Sequence, residues 1–469
     1  MVRQWWHRPS ADAWLAAGHG AVLAYFLLFA TVFAAVVPPF EAPDEPAHLA
    51  YVSFVATRAE LPSQYDPQRA LPSLFGMIVT EGHQPPLYYA LAALLVRLVA
   101  PGGSIEAVAR PNPEHAWNGG RRVDVPLLQH TAGVPLPRVS DRFAFLLLRL
   151  FSVALGAANV ATVLVLARRL LPGCWQLVPG IFVATLPQFL FMSAVISNDG
   201  LANLLATLCL LQAMRLLDAP DRRRSYLVLG ILLGLALLAK KTALFLLPGL
   251  ALLLGCMAYR RRGRLAWIAL SALVMLGSAL LVAGWFFVRN KLLYGDLLGT
   301  QMERATLAVL VQEKPLTSAY FRTQFVDELF PSFVGRFGWM QVSLPSAVYW
   351  FYGLLLGISA AGVVSAVWAR RFPAALAALA AVFGLSCFGG IIAYNLTYSQ
   401  PQGRFLFPVL SLLAALLAAG LRELLHPRPL RRAVPLVIGG LIAGFVLADG
   451  LSIATIVQFY YGNGLRALS

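Results

Sequence analysis

Residues 38–51 read PPFEAPDEPAHLAY, and they follow Val22–Val37, an apolar run without a single charge. Asp44 and Glu45 stand side by side in this stretch, and His48 comes one helical turn after Asp44. Carboxylates at a membrane surface are costly unless they are solvated or put to use. The stretch therefore reads as the acidic centre of a membrane enzyme, set at the outer end of its first span.

The chain around it is built for lipid. Its 469 residues are 59% hydrophobic and 12% charged, with a mean hydropathy of +0.71. A soluble domain is nearer half apolar and a quarter charged. Runs approaching the ~20 apolar residues that cross a bilayer as a helix recur along the sequence. The expected fold class is all-α, a polytopic transmembrane helical bundle forming one integral membrane domain over residues 1–469.

The net charge of +16 sits in short gaps between apolar runs: Arg168–Arg169, Arg222–Arg224, Arg260–Arg262 with Arg264, Arg370–Arg371, and Arg428 with Arg431–Arg432. That is the pattern of the positive-inside rule. No exposed basic domain with base-reading residues is evident, so nucleic acid is excluded as a partner. The four cysteines are scattered, without CxxC or Cys/His spacing, and indicate neither a disulfide framework nor a zinc site. Arg3 and Arg8 before an apolar run imitate a signal peptide, but no small-residue cleavage site precedes PPFEAPDE, and an uncleaved first span is expected.

With the arginine clusters inside, about 11 spans are expected, near 19–37, 143–167, 175–196, 201–217, 226–239, 242–258, 265–288, 346–368, 374–394, 405–421 and 434–458. The fifth and sixth form a reentrant-looking pair around Lys240–Lys241. A long first extracytoplasmic loop covers 38–141, with a helical pattern over 44–58. PPLYYALAALLVRLV at 85–99 is short for a crossing and contains Arg97, so it is expected as a helix lying in the interface. As a true span it would put the Arg168 and Arg222 clusters on the wrong side. Residues 101–141, rich in Pro, Gly and charge, read as irregular surface structure. A second extracytoplasmic loop covers 289–345, and YNLTYSQPQGR at 394–404 lies outside as well. No repeat of hydropathy stands out, which disfavours an inverted-repeat transporter.

Charge bias alone thus brings Asp44, Glu45, His48, His83, Gln84, Asp199, Lys240, Lys241 and Arg404 to one face. A carboxylate there suits activation of an acceptor hydroxyl, and Lys or Arg suits a phosphate leaving group. Plainer roles compete. Asp44 and Glu45 suit the first turn of a helix, as does Asp199 in SNDG. Lys240 and Lys241 could be snorkelling cations, but they run against the topological bias. Arg404, after QPQG, is either an interfacial anchor or a planar two-pronged donor to phosphate. His48 shares a helix face with Asp44, to orient it or to supply half of a metal site. No third ligand is fixed by the sequence, so no cofactor is expected, and a divalent metal is possible but not indicated.

The first-loop acidic pair, with PPLYY later in the loop, resembles the GT-C superfamily of glycosyltransferases, polytopic enzymes that use polyprenyl-phosphate sugars on the non-cytoplasmic face. APDEPAHLAY, HQPPLYY, SNDG, GRFGW and QGRFLFP together are similar to a bacterial family described only as predicted membrane proteins. The resemblance implies that Asp44 corresponds to the superfamily's first-loop catalytic acid, with Glu45 beside it and the choice between them open. It implies a second acidic position at Asp199. Unlike the aminoarabinose transferases of the superfamily, this chain has no Lys before the PP of the first loop; His83–Gln84 stand there.

What the resemblance implies is an inverting GT-C-type transferase with a lipid-phosphate-sugar donor, acting in assembly of a cell-envelope glycan or glycolipid. Asp44 or Glu45 would be the base; His48, His83, Gln84 and Asp199 would orient or meet the acceptor; Lys240, Lys241 and Arg404 would bind the donor phosphate. The partners expected are a polyprenyl-phosphate-linked sugar, membrane lipid, and an acceptor glycan, lipid or protein. The location expected is a bacterial inner membrane, with the active face periplasmic or extracellular. The competing functions are a transporter or flippase for an anionic substrate and a non-catalytic scaffold of an envelope-polymer assembly complex.

Overall fold

In lipid a chain must satisfy its own backbone groups, and this one does so almost entirely with helices. The computed structural model describes residues 13–63, 81–100, 102–108, 111–112, 125–129, 136–220, 222–260, 265–372 and 374–466. The first half contains α1 (Ala13–Val36), α2 (Glu45–Arg58), α3 (Leu87–Val99), α4 (Val139–Leu170), α5 (Val178–Ala184), α6 (Pro187–Ser193), α7 (Asp199–Asp218) and α8 (Arg223–Ala239). There follow α9 (Leu246–Arg260), α10 (Leu265–Tyr294), α11 (Thr300–Thr306), α12 (Ala319–Arg322) and α13 (Gln324–Val334). A small antiparallel hairpin, β1 (Arg336–Phe337) with β2 (Val342–Ser343), interrupts the helices. The last helices are α14 (Ser346–Trp368), α15 (Ala374–Thr397), α16 (Leu410–Leu424), α17 (Arg428–Arg431) and α18 (Val434–Arg466).

Among the described residues nine helical segments are long and apolar enough to cross a membrane: 13–36, 139–170, 199–218, 241–259, 266–294, 346–368, 376–397, 403–424 and 434–462. A tenth is the pair Gly173–Ala184 and Pro187–Ser193, bent by 62°. Pro187 explains the break, because a proline disfavours helical backbone at the residue before it, and Leu186 is extended (ψ 113°). The eleven expected spans all fall on helices, the third as this bent pair and the fifth as α8, a 17-residue helix. Leu28, Leu281, Trp368 and Leu436 are exposed on the outside, as lipid-facing side chains are.

The 13-residue α3 is amphipathic: Tyr88, Tyr89, Ala92 and Val96 are buried, while Leu94 and Leu98 are exposed. Arg97 turns back to α2, its Nε donating to the Ala56 carbonyl at 2.6 Å. Much of 101–141, expected as irregular surface structure, lies outside the described residues.

Two large apolar clusters form the interior. One gathers around α2, α3, α7, α8 and α9, the other around α1, α5, α6, α14 and α18. The chain passes from one to the other at Phe40–Ala42, Val195–Ile196 and Phe407–Leu410. Each of these crossings lies beside a polar motif of the sequence: APDEP, SNDG and QGRFLFP.

Candidate active site

The turn before α2 sets the site. Phe40 and Asp44 both adopt left-handed backbone, at φ 71° and 63°. Asp tolerates that region and Phe resists it, so Phe40 must be held there by its surroundings. Trp339 of the GRFGW hairpin donates its Nε1–H to the Phe40 carbonyl at 3.1 Å, and the Phe40 amide donates to Glu45 Oε2 at 3.0 Å.

The turn separates the two acids. Glu45 points inward and is fully buried. Arg149 of α4 grips it with Nε to Oε1 at 2.9 Å and Nη2 to Oε2 at 2.8 Å, and the Ile196 amide adds a bond to Oε1 at 3.0 Å. The other Arg149 protons go to the carbonyls of Ala34, Val37 and Pro38. Glu45 therefore lies off the cavity with both oxygens engaged, as a buried ion-pair partner of Arg149. Arg149, the charge standing inside the second span, is there to meet it.

Asp44 does not cap α2 with its side chain. Its Oδ2 accepts from Arg404 Nη2 at 2.7 Å. Both residues line a cavity of 460 Å³, and with them His48, His83, Gln84, Asp199, Lys240 and Lys241, so eight of the nine residues expected from the sequence meet there. Apolar side chains including Phe245, Cys387, Ile391 and Pro408 form another part of its wall.

The cations are not idle. Lys240, extended at the end of α8, donates from Nζ to Asp199 Oδ1, and Arg404 Nη1 lies 3.5 Å from Asp199 Oδ2. Asp199 thus bridges Lys240 and Arg404 instead of capping α7 with its side chain. Lys241 Nζ donates to Glu303 Oε2 at 2.5 Å. Arg404 Nε donates to Gln402 Oε1 at 2.5 Å. Gly403 allows this approach: a Cβ there would come within 2.2 Å of the Phe333 amide nitrogen.

His48 is fully buried, with Nδ1 2.8 Å from the Tyr89 hydroxyl. Burial pushes it down to about 4, against the pull of Asp44 and Asp199, so it is neutral at pH 7. Glu81 is pushed up to about 8 by burial and then by the charge of Asp44. Its Oε2 has no hydrogen-bond partner among the described residues. With Glu81 protonated, Asp44, Asp199 and Glu303 face Lys240, Lys241 and Arg404, three charges against three. His83 Nε2 lies 3.7 Å from Glu303 Oε1 and 4.0 Å from Glu81 Oε2, and Gln84 Oε1 accepts from Asn198 Nδ2 at 3.4 Å.

Asp44, His48 and Glu81 bring ligand atoms within 4.8 Å of one another, close enough to share a divalent ion. Glu81 and Glu303 are the cavity acids that the sequence reading missed. The signal for Glu81 was its place in EGHQPP, two residues before His83; Glu303 stands on the short helix α11, in a stretch without a motif. Two arginines of the same face are elsewhere: Arg336 pairs with Glu328 at 2.7 Å, and Arg289 donates to the Pro62 carbonyl at 2.7 Å.

The backbone matches known enzymes. ArnT from Cupriavidus metallidurans bound to undecaprenyl phosphate superposes with TM-score 0.55 at 12% identity, over 97% of this chain and 79% of that one. The Archaeoglobus fulgidus oligosaccharyltransferase in the apo form gives 0.50 at 15% identity, over 94% of this chain and 56% of that one. The same archaeal enzyme, AglB, in complex with an inhibitory peptide and a dolichol-phosphate gives 0.50 at 15% identity, over 96% and 56%. This chain therefore spans little more than half the length of the archaeal enzyme. These are GT-C glycosyltransferases, and the chain is a multi-pass membrane protein with their fold. The model of the family described as predicted membrane protein (DUF2142) matches residues 134–413, more than half of the sequence, and the chain belongs to that family. No curated protein matches it by sequence.

Proposed function

We propose that the protein transfers a sugar from a polyprenyl-phosphate donor to an acceptor hydroxyl on the extracytoplasmic face of a bacterial inner membrane, in assembly of an envelope glycan or glycolipid. One observation carries this reading: an acid, Asp44, and two cations, Lys240 and Arg404, share a cavity that has an apolar wall. That is what a donor with a charged phosphate and a hydrocarbon tail needs. ArnT is bound to undecaprenyl phosphate and AglB is in complex with a dolichol-phosphate, and the fold is theirs.

The phosphate takes the place that Asp199 holds between Lys240 and Arg404. Preorganised cations of this kind stabilise charge as it develops on the leaving group. The isoprenoid lies along Phe245, Cys387, Ile391 and Pro408. Asp44 is the more accessible acid, its side chain 27% exposed against 11% for Asp199, and it takes the proton. The acceptor oxygen forms its bond to the anomeric carbon as the bond from that carbon to the phosphate oxygen breaks. The sugar inverts, the proton ends on Asp44, and polyprenyl phosphate leaves with the electron pair. Lys241 adds a third cation at the edge of the site, and His83 and Gln84 border the acceptor.

The test is release of polyprenyl phosphate from a labelled polyprenyl-phosphate sugar by membranes containing the full chain, with Asp44→Asn as the comparison. Release by the variant at the parent rate would sink the assignment.

A further inference from the structure

Two cavities lie along α15 and the segment that runs from Gly403 into α16. The candidate active site takes Ser386, Ile391 and Tyr394 from one end of α15; a second cavity, of 270 Å³, takes Leu376 and Ala380 from the other. Along the neighbouring segment Arg404 belongs to the first and Arg422 to the second, eighteen residues on and on the order of 27 Å away at helical rise. The wall of the second cavity is apolar, made by Leu171, Leu376, Leu412 and Leu416 among others. Its mouth is charged: Arg371, Arg422, Glu423 and His426 line it.

The mouth is not charge-balanced. Arg371 Nη1 donates to Glu423 Oε1 at 2.7 Å, which accounts for the single carboxylate. Three other arginines at this end have partners: Arg168 reaches His19 at 3.2 Å, Arg169 reaches Asp218 at 2.8 Å, and Arg431 reaches the His426 carbonyl at 2.8 Å. Arg422 makes no hydrogen bond to a described residue, although it is half-buried. Its donors are therefore open to a ligand in the cavity that it lines.

We propose that this cavity binds one anionic phospholipid, with an acyl chain in the slot and the headgroup phosphate on Arg422 and Arg371. The excess of one positive charge matches one phosphodiester. The planar fork of a guanidinium suits two of its oxygens. Basic pockets between membrane helices on the side where arginines collect recognise such headgroups. A bare hydrocarbon tail in the slot would leave Arg422 unsatisfied, and a zwitterionic headgroup would bring a second cation to a mouth already positive.

Native mass spectrometry of the solubilised full chain, after incubation with phosphatidylglycerol or with phosphatidylcholine, reads the occupancy directly. The expected result is one phosphatidylglycerol retained per chain, about tenfold in preference to phosphatidylcholine. Arg422→Ala lowers that retention about tenfold, Arg422→Lys restores part of it, and Arg223→Ala, outside the cavity, leaves it unchanged. Leu416→Trp fills the slot and lowers retention as well. Equal retention of the two lipids overturns the proposal. So does full retention by Arg422→Ala, including the case in which only Leu416→Trp has an effect, which would make the slot a site for hydrocarbon alone. Removing Arg422 breaks no bond within the described chain, so a monodisperse variant is expected.

Discussion

Arg404 and Asp44 stand 360 residues apart in sequence and 2.7 Å apart in space. This contact joins the turn after the first span to the start of the tenth, and it sets the proposed base beside a proposed ligand of the donor phosphate. Asp44→Asn keeps a hydrogen-bond acceptor for Arg404 but removes the proton acceptor. Transfer is expected to fall by about 10²–10⁴-fold. Binding of polyprenyl phosphate alone, measured by calorimetry in detergent, is expected to change little. A variant that loses donor binding as much as turnover would make Asp44 a positioning residue for Arg404.

Lys240→Ala tests the other side of the same contact. It removes one of the two cations that Asp199 bridges. Weaker donor binding is expected, by roughly tenfold or more, as for loss of a charge-assisted hydrogen bond of about 1.5–3 kcal/mol. Competition of polyprenyl phosphate against a labelled donor reads this without turnover. Unchanged affinity would place the phosphate elsewhere.

Glu45 and Arg149 make a different prediction, because both are buried and engaged. Removing one partner of such a pair costs about 3–5 kcal/mol by leaving the other unpaired. Glu45→Gln and Arg149→Met are each expected to lower the thermal midpoint sharply, and the double variant to lose less than the two losses added. At a temperature where Glu45→Gln is still folded, its turnover should be near that of the parent chain. Selective loss of turnover in a fully stable Glu45→Gln would return Glu45 to the candidate bases.

Stability should depend on pH with two opposite slopes. His48 is held down to about 4 from the usual 6.5, so its contribution is complete above pH 6.5 and is lost as pH falls through 4. That is about 3 kcal/mol at the usual 1.36 kcal/mol for each unit of difference. Glu81 is pushed up to about 8 from 4.5, so its contribution is complete below pH 4.5 and is lost as pH rises through 8. Thermal midpoints across pH 4–9 should show His48→Gln without the acid-side loss and Glu81→Gln without the alkaline-side loss. Parallel curves for parent and variants would contradict both assignments.

The sequence showed the spans because arginine clusters mark their ends, and it showed the face on which the site lies because the polar motifs gather there. It could not separate Asp44 from Glu45. Two left-handed residues, Phe40 and Asp44, shape the turn that decides which carboxylate sees the cavity, and the hairpin that supports it is nearly three hundred residues away at Trp339. Glu303 was invisible for a related reason: it stands in the second outer loop and meets Lys241, which lies between α8 and α9. Asp449 looks like an isolated charge in the last span, and only the fold shows Tyr25 donating to it at 2.7 Å. Periodicity and charge bias report local and topological facts, whereas these partnerships depend on tertiary pairing.

The expected absence of a metal becomes a proposal that can be tested at the same cluster. Asp44, His48 and Glu81 are near enough to share a divalent ion, but Asp44 is already bound by Arg404, and Glu81 is protonated at neutral pH. A dication would have to displace that proton and approach Arg404 and Lys240, the cations proposed to meet the leaving phosphate. We therefore expect transfer at pH 7 to survive exhaustive treatment with EDTA and to gain nothing from added Mn²⁺ or Mg²⁺. If EDTA abolishes transfer and Mn²⁺ restores it, the charge argument fails. In that event Glu81→Gln should prevent the restoration, because it removes a carboxylate whose Oε2 has no hydrogen-bond partner among the described residues.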